Sequence, residues 1–97
     1  MLILPIKKKW FDMILSGEKE EEYREIKPYY TSRFRHIWQG SLIGGEAERK
    51  ICFRNGYSDK SPSFIATVTL NIGHGNSEWG AEAGKEYYVL KILEIES

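Results

Sequence analysis

The chain has 97 residues, 41% of them hydrophobic, and equal numbers of basic and acidic side chains, so its net charge is zero. That length admits one domain, 1–97, and no second core. Zero net charge excludes a protein that holds nucleic acid by bulk attraction alone, and a single cysteine, Cys52, excludes an internal disulfide.

The charge is unevenly spread. Residues 1–60 hold twelve Lys/Arg and nine Asp/Glu, whereas residues 61–97 hold two and five. One side of the molecule can therefore be basic. Three Trp, six Tyr and four Phe supply rings for a core or for stacking on a flat ligand. No apolar run approaches the ~18 residues of a membrane span. The apolar start, Met1–Ile6, precedes its lysines, the reverse of a signal peptide. A cytoplasmic protein without a membrane partner is the expectation.

In chain order, Leu2–Ile6 reads as a short buried strand with Pro5 near its end. Lys7–Ser16 changes to helical spacing: Trp10 with Ile14 and Phe11 with Leu15 give an apolar stripe, and Lys8 can pair with Asp12 on the wet face. Gly17 then ends the helix as a left-handed cap. Lys19–Glu25 is charged at six of seven positions. As a strand it places Glu20, Glu22 and Arg24 on one face and Lys19, Glu21 and Tyr23 on the other.

Pro28 opens a second helix, with Tyr30, Phe34, Ile37 and Trp38 on its apolar face. Gly40–Glu48 reads as a loop and Lys50–Phe53 as a strand in which Cys52 is a buried thiol. Arg54–Tyr57 contains an Asn-Gly turn signal. Phe64–Ile72 alternates clearly, Gly73–Gly84 is loop-rich, and Glu86–Ile95 is a final strand. The order β-α-β-α-β-β-β predicts an α+β domain with a curled sheet or small β-barrel and two helices beside it. The predicted core is Trp10, Ile14, Tyr23, Phe34, Val68, Leu70, Leu90 and Ile92.

The chain has no glycine-rich phosphate loop, no Cys/His metal cluster and no G-x-S-x-G motif. No metal or other cofactor is expected. His36 falls in the second helix and His74 in a glycine-flanked loop. The informative stretch is Gly17–Arg24. Three consecutive glutamates between a lysine and an arginine are costly in a strand unless the face is wet or the charges pair. A wet concave face is a ligand cleft, in which Lys19 and Arg24 can bind an anion or a base carbonyl and Glu22 can accept from an amine or act as a base. The competing reading is a solvated edge strand whose charges discourage aggregation.

The residues Lys9-Trp10, Ile14-Leu15-Ser16-Gly17-Glu18-Lys19 and Tyr23-Arg24 resemble the signature of the ASCH (activating-signal-cointegrator homology) family of the PUA-like superfamily. The closing Tyr87-Tyr88-Val89-Leu90 strand is similar to that family's last strand, so the resemblance runs from Leu2 to about Ile95. It implies a PUA-like barrel with a motif-lined cleft that binds RNA or a modified nucleoside or nucleotide. It also admits a small hydrolase acting on acetylcytidine or on RNA. In the amidohydrolase pattern the motif lysine is Lys19, and Glu22 stands where a threonine is expected. A distant catalytic glutamate has only Glu78 as a candidate by position. The expected ligand-binding set is Lys19, Glu22 and Arg24, with Lys7, Lys9, Trp10, Tyr29 and Tyr30 near the rim. Lys19 is expected at the strand's entrance, where Gly17 lets the backbone turn. If the protein is an enzyme, Glu22 is the expected base and Lys19 the oxyanion stabiliser. A third alternative is a protein-interaction module without a ligand.

Overall fold

The computed structural model describes residues 1–39 and 45–96, and its elements follow the expected order. Strand β1 is Ile3–Pro5, helix α1 Lys8–Leu15, β2 Glu21–Glu25, helix α2 Pro28–Trp38, β3 Gly45–Arg54, β4 Ser63–His74 and β5 Glu86–Ile95. A single 3-10 turn, Ser77–Trp79, precedes β5. The sheet order is β1-β3-β4-β5-β2. Only β1 and β3 pair in parallel, and the other neighbours are antiparallel. The sheet curls into a half-barrel with β1 and β2 as its two edges. No helix is long and apolar enough to cross a membrane among the described residues.

Strand alternation builds the core. Phe64, Ala66, Val68 and Leu70 of β4 are buried, as are Ile51 and Phe53 of β3 and Tyr88 and Leu90 of β5. The helices cover this face with Phe11 and Ile14 of α1 and Phe34 and Trp38 of α2. The Phe11 and Phe64 rings lie 5.0 Å apart, and Phe34 meets Tyr88 edge-on at 5.2 Å. Both arrangements are favourable aromatic geometry. Trp38 Nε1 donates to the Ala47 carbonyl at 2.9 Å, which ties α2 to β3.

The helix ends follow local chemistry. Lys8 and Asp12 pair at 2.6 Å on the exposed face of α1, and Gly17 takes φ +84°, the left-handed conformation that reverses the chain towards β2. Pro28 occupies the first turn of α2, and Gln39 caps its end at φ 54°.

Several sequence expectations are corrected. Leu15 is exposed and Trp10 half-buried, so the stripe of α1 is carried by Phe11 and Ile14, three apart. Tyr23 and Ile92 are also only partly buried. Tyr23 packs on the opposite face of the sheet, against a second cluster of Ala81, Tyr87 and Val89. The strand expected at Lys50–Phe53 starts at Gly45, because β4 is long enough to pair with it from Arg54↔Ser63 up to Gly45↔Leu70. The loop expected at Gly40–Glu48 is therefore strand from Gly45, and its first five residues lie outside the described ones. His74 ends β4 rather than sitting in a loop, because it pairs with Glu86. The Asn55-Gly56 turn signal lies in the loop between β3 and β4. Cys52 is only partly buried, because Ile51 and Phe53 take the core-facing positions on either side of it.

Candidate functional site

The chemistry of the charged segment is set by the register of β2 against β5. Glu22 lies opposite Leu90 and Arg24 opposite Tyr88, while Tyr23 lies opposite Val89. Cross-strand partners share a face, so Glu22 and Arg24 enter the core side of the sheet and Tyr23 the other. Three glutamates in a row are tolerated because their environments differ. Glu20 is exposed, Glu21 accepts a hydrogen bond from the Tyr23 hydroxyl at 2.7 Å, and Glu22 is buried and paired.

Both Glu22 oxygens are held by cations. Oε1 is 3.3 Å from Lys19 Nζ and Oε2 is 2.7 Å from an Arg24 Nη. Simple alternation puts Lys19 on the face opposite Glu22, yet the two side chains meet. The reason is that β2 begins at Glu21, so Lys19 belongs to the turn after Gly17, and its backbone N–H donates to Met13 O at 2.9 Å. The expected convergence of Lys19, Glu22 and Arg24 is thus present geometrically.

Lys19 is nevertheless sealed from solvent. Its side chain is 0% exposed, its ammonium donates to the Trp79 carbonyl at 2.6 Å, and it lies 4.8 Å from the centres of both the Trp10 and Tyr23 rings. Burial lowers its pKa from the usual lysine value, and the neighbouring Glu22 only partly counteracts this. Arg24 has a different balance. Burial alone lowers its pKa, but Glu22 and the hydrogen bond with Tyr30 outweigh that and hold it above the ordinary arginine value. Arg24 also donates to the Pro5 carbonyl at 2.9 Å and to the Tyr30 hydroxyl at 3.3 Å. It therefore bridges β2 to β1, the two edges of the curled sheet.

The 3-10 turn is clamped onto this cluster. Gly80 takes φ +102°, and a Cβ there would stand 3.0 Å from the Trp10 ring. Gly80→Ala is expected to cost about 1–3 kcal/mol through backbone strain and to displace Trp10. Denaturant unfolding together with the tryptophan emission of the folded protein checks both effects, and a neutral variant with unchanged emission would contradict the clamp.

Above Glu22 and Arg24 lies an open cleft of about 730 Å³. Its lining includes five of the expected residues besides Arg24: Lys7, Trp10, Glu22, Tyr29 and Tyr30. Pro5, Ile6 and Tyr23 complete its walls, together with Lys27 and the Asn55–Tyr57 loop, which the sequence reading did not single out. Three expected residues are not in the lining. Lys19 is behind Trp10 and Tyr23, Lys9 is exposed with its ammonium 4.7 Å from the Trp10 ring centre, and Glu78 is exposed on the 3-10 turn. Tyr29 and Tyr57 are large exposed rings on the cleft wall, and Tyr30 is flanked by the Arg24 and Lys27 cations at 5.6 and 5.5 Å. A signal for Lys27 was available: it directly precedes the helix-opening Pro28, between the charged strand and two tyrosines.

Chemically, the cleft offers aromatic surface, two exposed lysines and an arginine, against one carboxylate that is already neutralised. Among the described residues no group of three His, Cys, Asp or Glu side chains is placed to hold a metal ion. No protein-family model, curated protein or solved structure matches this chain.

Proposed function

We propose that the cleft binds a segment of RNA or a modified nucleoside or nucleotide. The observation that carries this reading is the lining itself: Trp10, Tyr29, Tyr30 and Tyr57 beside Lys7, Lys27 and Arg24 in one concavity of about 730 Å³. Rings stack on bases, and lysine and arginine hold phosphates. The volume is that of a small-ligand site. Glu22 adds no net repulsion for an anion, because Lys19 and Arg24 already hold both of its oxygens.

Trp10, Tyr23 and Arg24 of this lining also belong to the stretches that resemble the ASCH signature, so the chain is taken as an ASCH-like domain, its half-barrel as PUA-like and its setting as the cytoplasm. Binding is favoured over hydrolysis for two physical reasons. Both Glu22 oxygens are already engaged by Lys19 and Arg24, and an ammonium buried behind Trp10 and Tyr23 cannot reach a substrate's developing charge. A bare interaction module leaves the aromatic and cationic lining of the cleft without a role.

The test is a thermal-shift screen of nucleosides, nucleoside monophosphates, acetylcytidine and short single-stranded RNA. A ligand at a hundred times its dissociation constant adds about 2.7 kcal/mol to the stability of the fold. Phosphate-bearing ligands are expected to raise the melting temperature of the native protein and to lose that effect in a Lys7→Ala/Lys27→Ala variant. Both lysines are exposed, so that variant should keep its fold. A shift that survives the double replacement would contradict the proposal. Turnover of acetylcytidine or RNA that disappears in Glu22→Gln would favour the hydrolase instead.

A further inference from the structure

A second depression of about 500 Å³ adjoins the cleft and shares Lys27 with it. Its lining is Ile26, Lys27, Pro28, Thr31, Ser32 and Arg35, which combines two cations and two hydroxyl groups with two exposed apolar residues and no carboxylate. Helix α2 contains no acidic residue, and among the described residues no Asp or Glu pairs with Lys7, Lys27 or Arg35. The positive charge on this side of the molecule is therefore not cancelled locally. Thr31 and Arg35 are four apart and so lie along one flank of the helix, and Lys27 stands at its N-cap. The Thr31 hydroxyl is tied to the Tyr88 hydroxyl at 2.6 Å, which anchors the middle of that flank to the core. Eight residues of helical rise separate Lys27 from Arg35 by about 12 Å along the axis. Arg35 lies outside the cleft lining, so a nucleotide seated in the cleft leaves it free, whereas a following phosphate of a strand can reach it.

We propose that the ligand of the cleft is single-stranded RNA, whose chain leaves the cleft past Lys27 and lays a following phosphate against Arg35. The inference rests on the cleft reading above and narrows it from a nucleotide to a strand of at least two. A base stacks in the cleft among Trp10, Tyr29 and Tyr30, Lys27 contacts the phosphate at the junction, and the next sugar and phosphate occupy the depression. Arg35 supplies its hydrogen-bond donors, since the Ser32 hydroxyl already donates to the Tyr29 carbonyl at 3.3 Å.

The experiment compares the four nucleoside monophosphates with a random-sequence RNA octanucleotide, by fluorescence anisotropy and competition, on the native chain and on Arg35→Ala. Arg35 lies outside the cleft lining and is exposed, so the replacement leaves the cleft intact. The octanucleotide is expected to bind about tenfold or more tighter than any monophosphate at low salt, because it releases additional counterions. Arg35→Ala should weaken the octanucleotide, lower its salt slope by about one and leave monophosphate affinity unchanged. Monophosphate binding with no gain for the octanucleotide, or an Arg35→Ala effect equal on both, would overturn the strand while leaving the cleft reading standing. Equal affinity for a poly-glutamate decamer would also overturn it, making the track a site for acidic protein. Failure of every nucleotide probe to bind would remove both.

Discussion

Glu22→Ala is expected to destabilise the fold by about 3–5 kcal/mol, the cost of stranding buried charge without its partner. Among the described residues the carboxylate is the one that forms ion pairs with two cations, Lys19 at 3.3 Å and Arg24 at 2.7 Å, whose side chains are 0% and 11% exposed. Removing it leaves both positive groups facing each other across a buried gap. It also frees Arg24, which donates to Pro5 O and so links the two edges of the curled sheet. Lys19→Met should cost less. Burial already lowers the Lys19 pKa, so its charge is held there at a desolvation cost, and Arg24 continues to neutralise Glu22 in that variant. Urea unfolding should therefore rank the midpoints as native, then Lys19→Met, then Glu22→Ala. A Glu22→Ala variant within about 1 kcal/mol of native, the range of an exposed ion pair, would mean that the triad is a solvated surface feature.

Phe34→Ala is expected to cost a similar 3–5 kcal/mol, through lost burial and the cavity left behind. Phe34 is 0% exposed. It stacks on Tyr30 at 5.9 Å, meets Trp38 edge-on at 6.1 Å and Tyr88 at 5.2 Å. The loss should extend beyond stability. Tyr30 lines the cleft and accepts from Arg24 at 3.3 Å, so removing the ring beneath it frees a cleft wall. Calorimetric unfolding measures the first effect, and the intensity of the Arg24 side-chain resonances reports the second. A small loss of stability with Tyr30 unmoved would mean that α2 seals the sheet by another route than this aromatic contact.

The late strands were the most legible part of the chain. Phe64 to Leu70 alternate without interruption, and Val68, Leu70 and Leu90 are all buried as that pattern requires. The apolar face of α2 was equally clear, because Phe34 and Trp38 are bulky residues at helical spacing. The Gly17 turn at the strand's entrance signalled that Lys19 could reach Glu22, where alternation alone failed because Lys19 lies just outside the strand. Alternation also failed to distinguish a wet face from a dry one at Glu22, since burial there depends on Lys19 and Arg24 arriving from the side, and no one-dimensional pattern encodes that. Trp10 looked like core because it is large and apolar. Its neighbours are instead the nearby Lys19 ammonium and Gly80, the latter brought in by a turn some seventy positions away. Lys27 and the Asn55–Tyr57 loop reach the cleft only because the sheet curls and brings β1, β2 and the end of β3 together, a consequence of strand order rather than of local sequence.

A two-dimensional NMR titration of the labelled chain with single-stranded RNA tests the central claim most directly. The backbone amides of Lys7, Tyr29, Tyr30 and Gly56 and the indole N–H of Trp10 should shift progressively and saturate together, since all five residues line one cleft. The amides of Cys52, Ile65 and Leu93, on the strands away from that lining, should stay in place. Saturable shifts on Cys52, Ile65 and Leu93 with the cleft residues unmoved would contradict the account, as would a spectrum unchanged by any nucleotide or RNA.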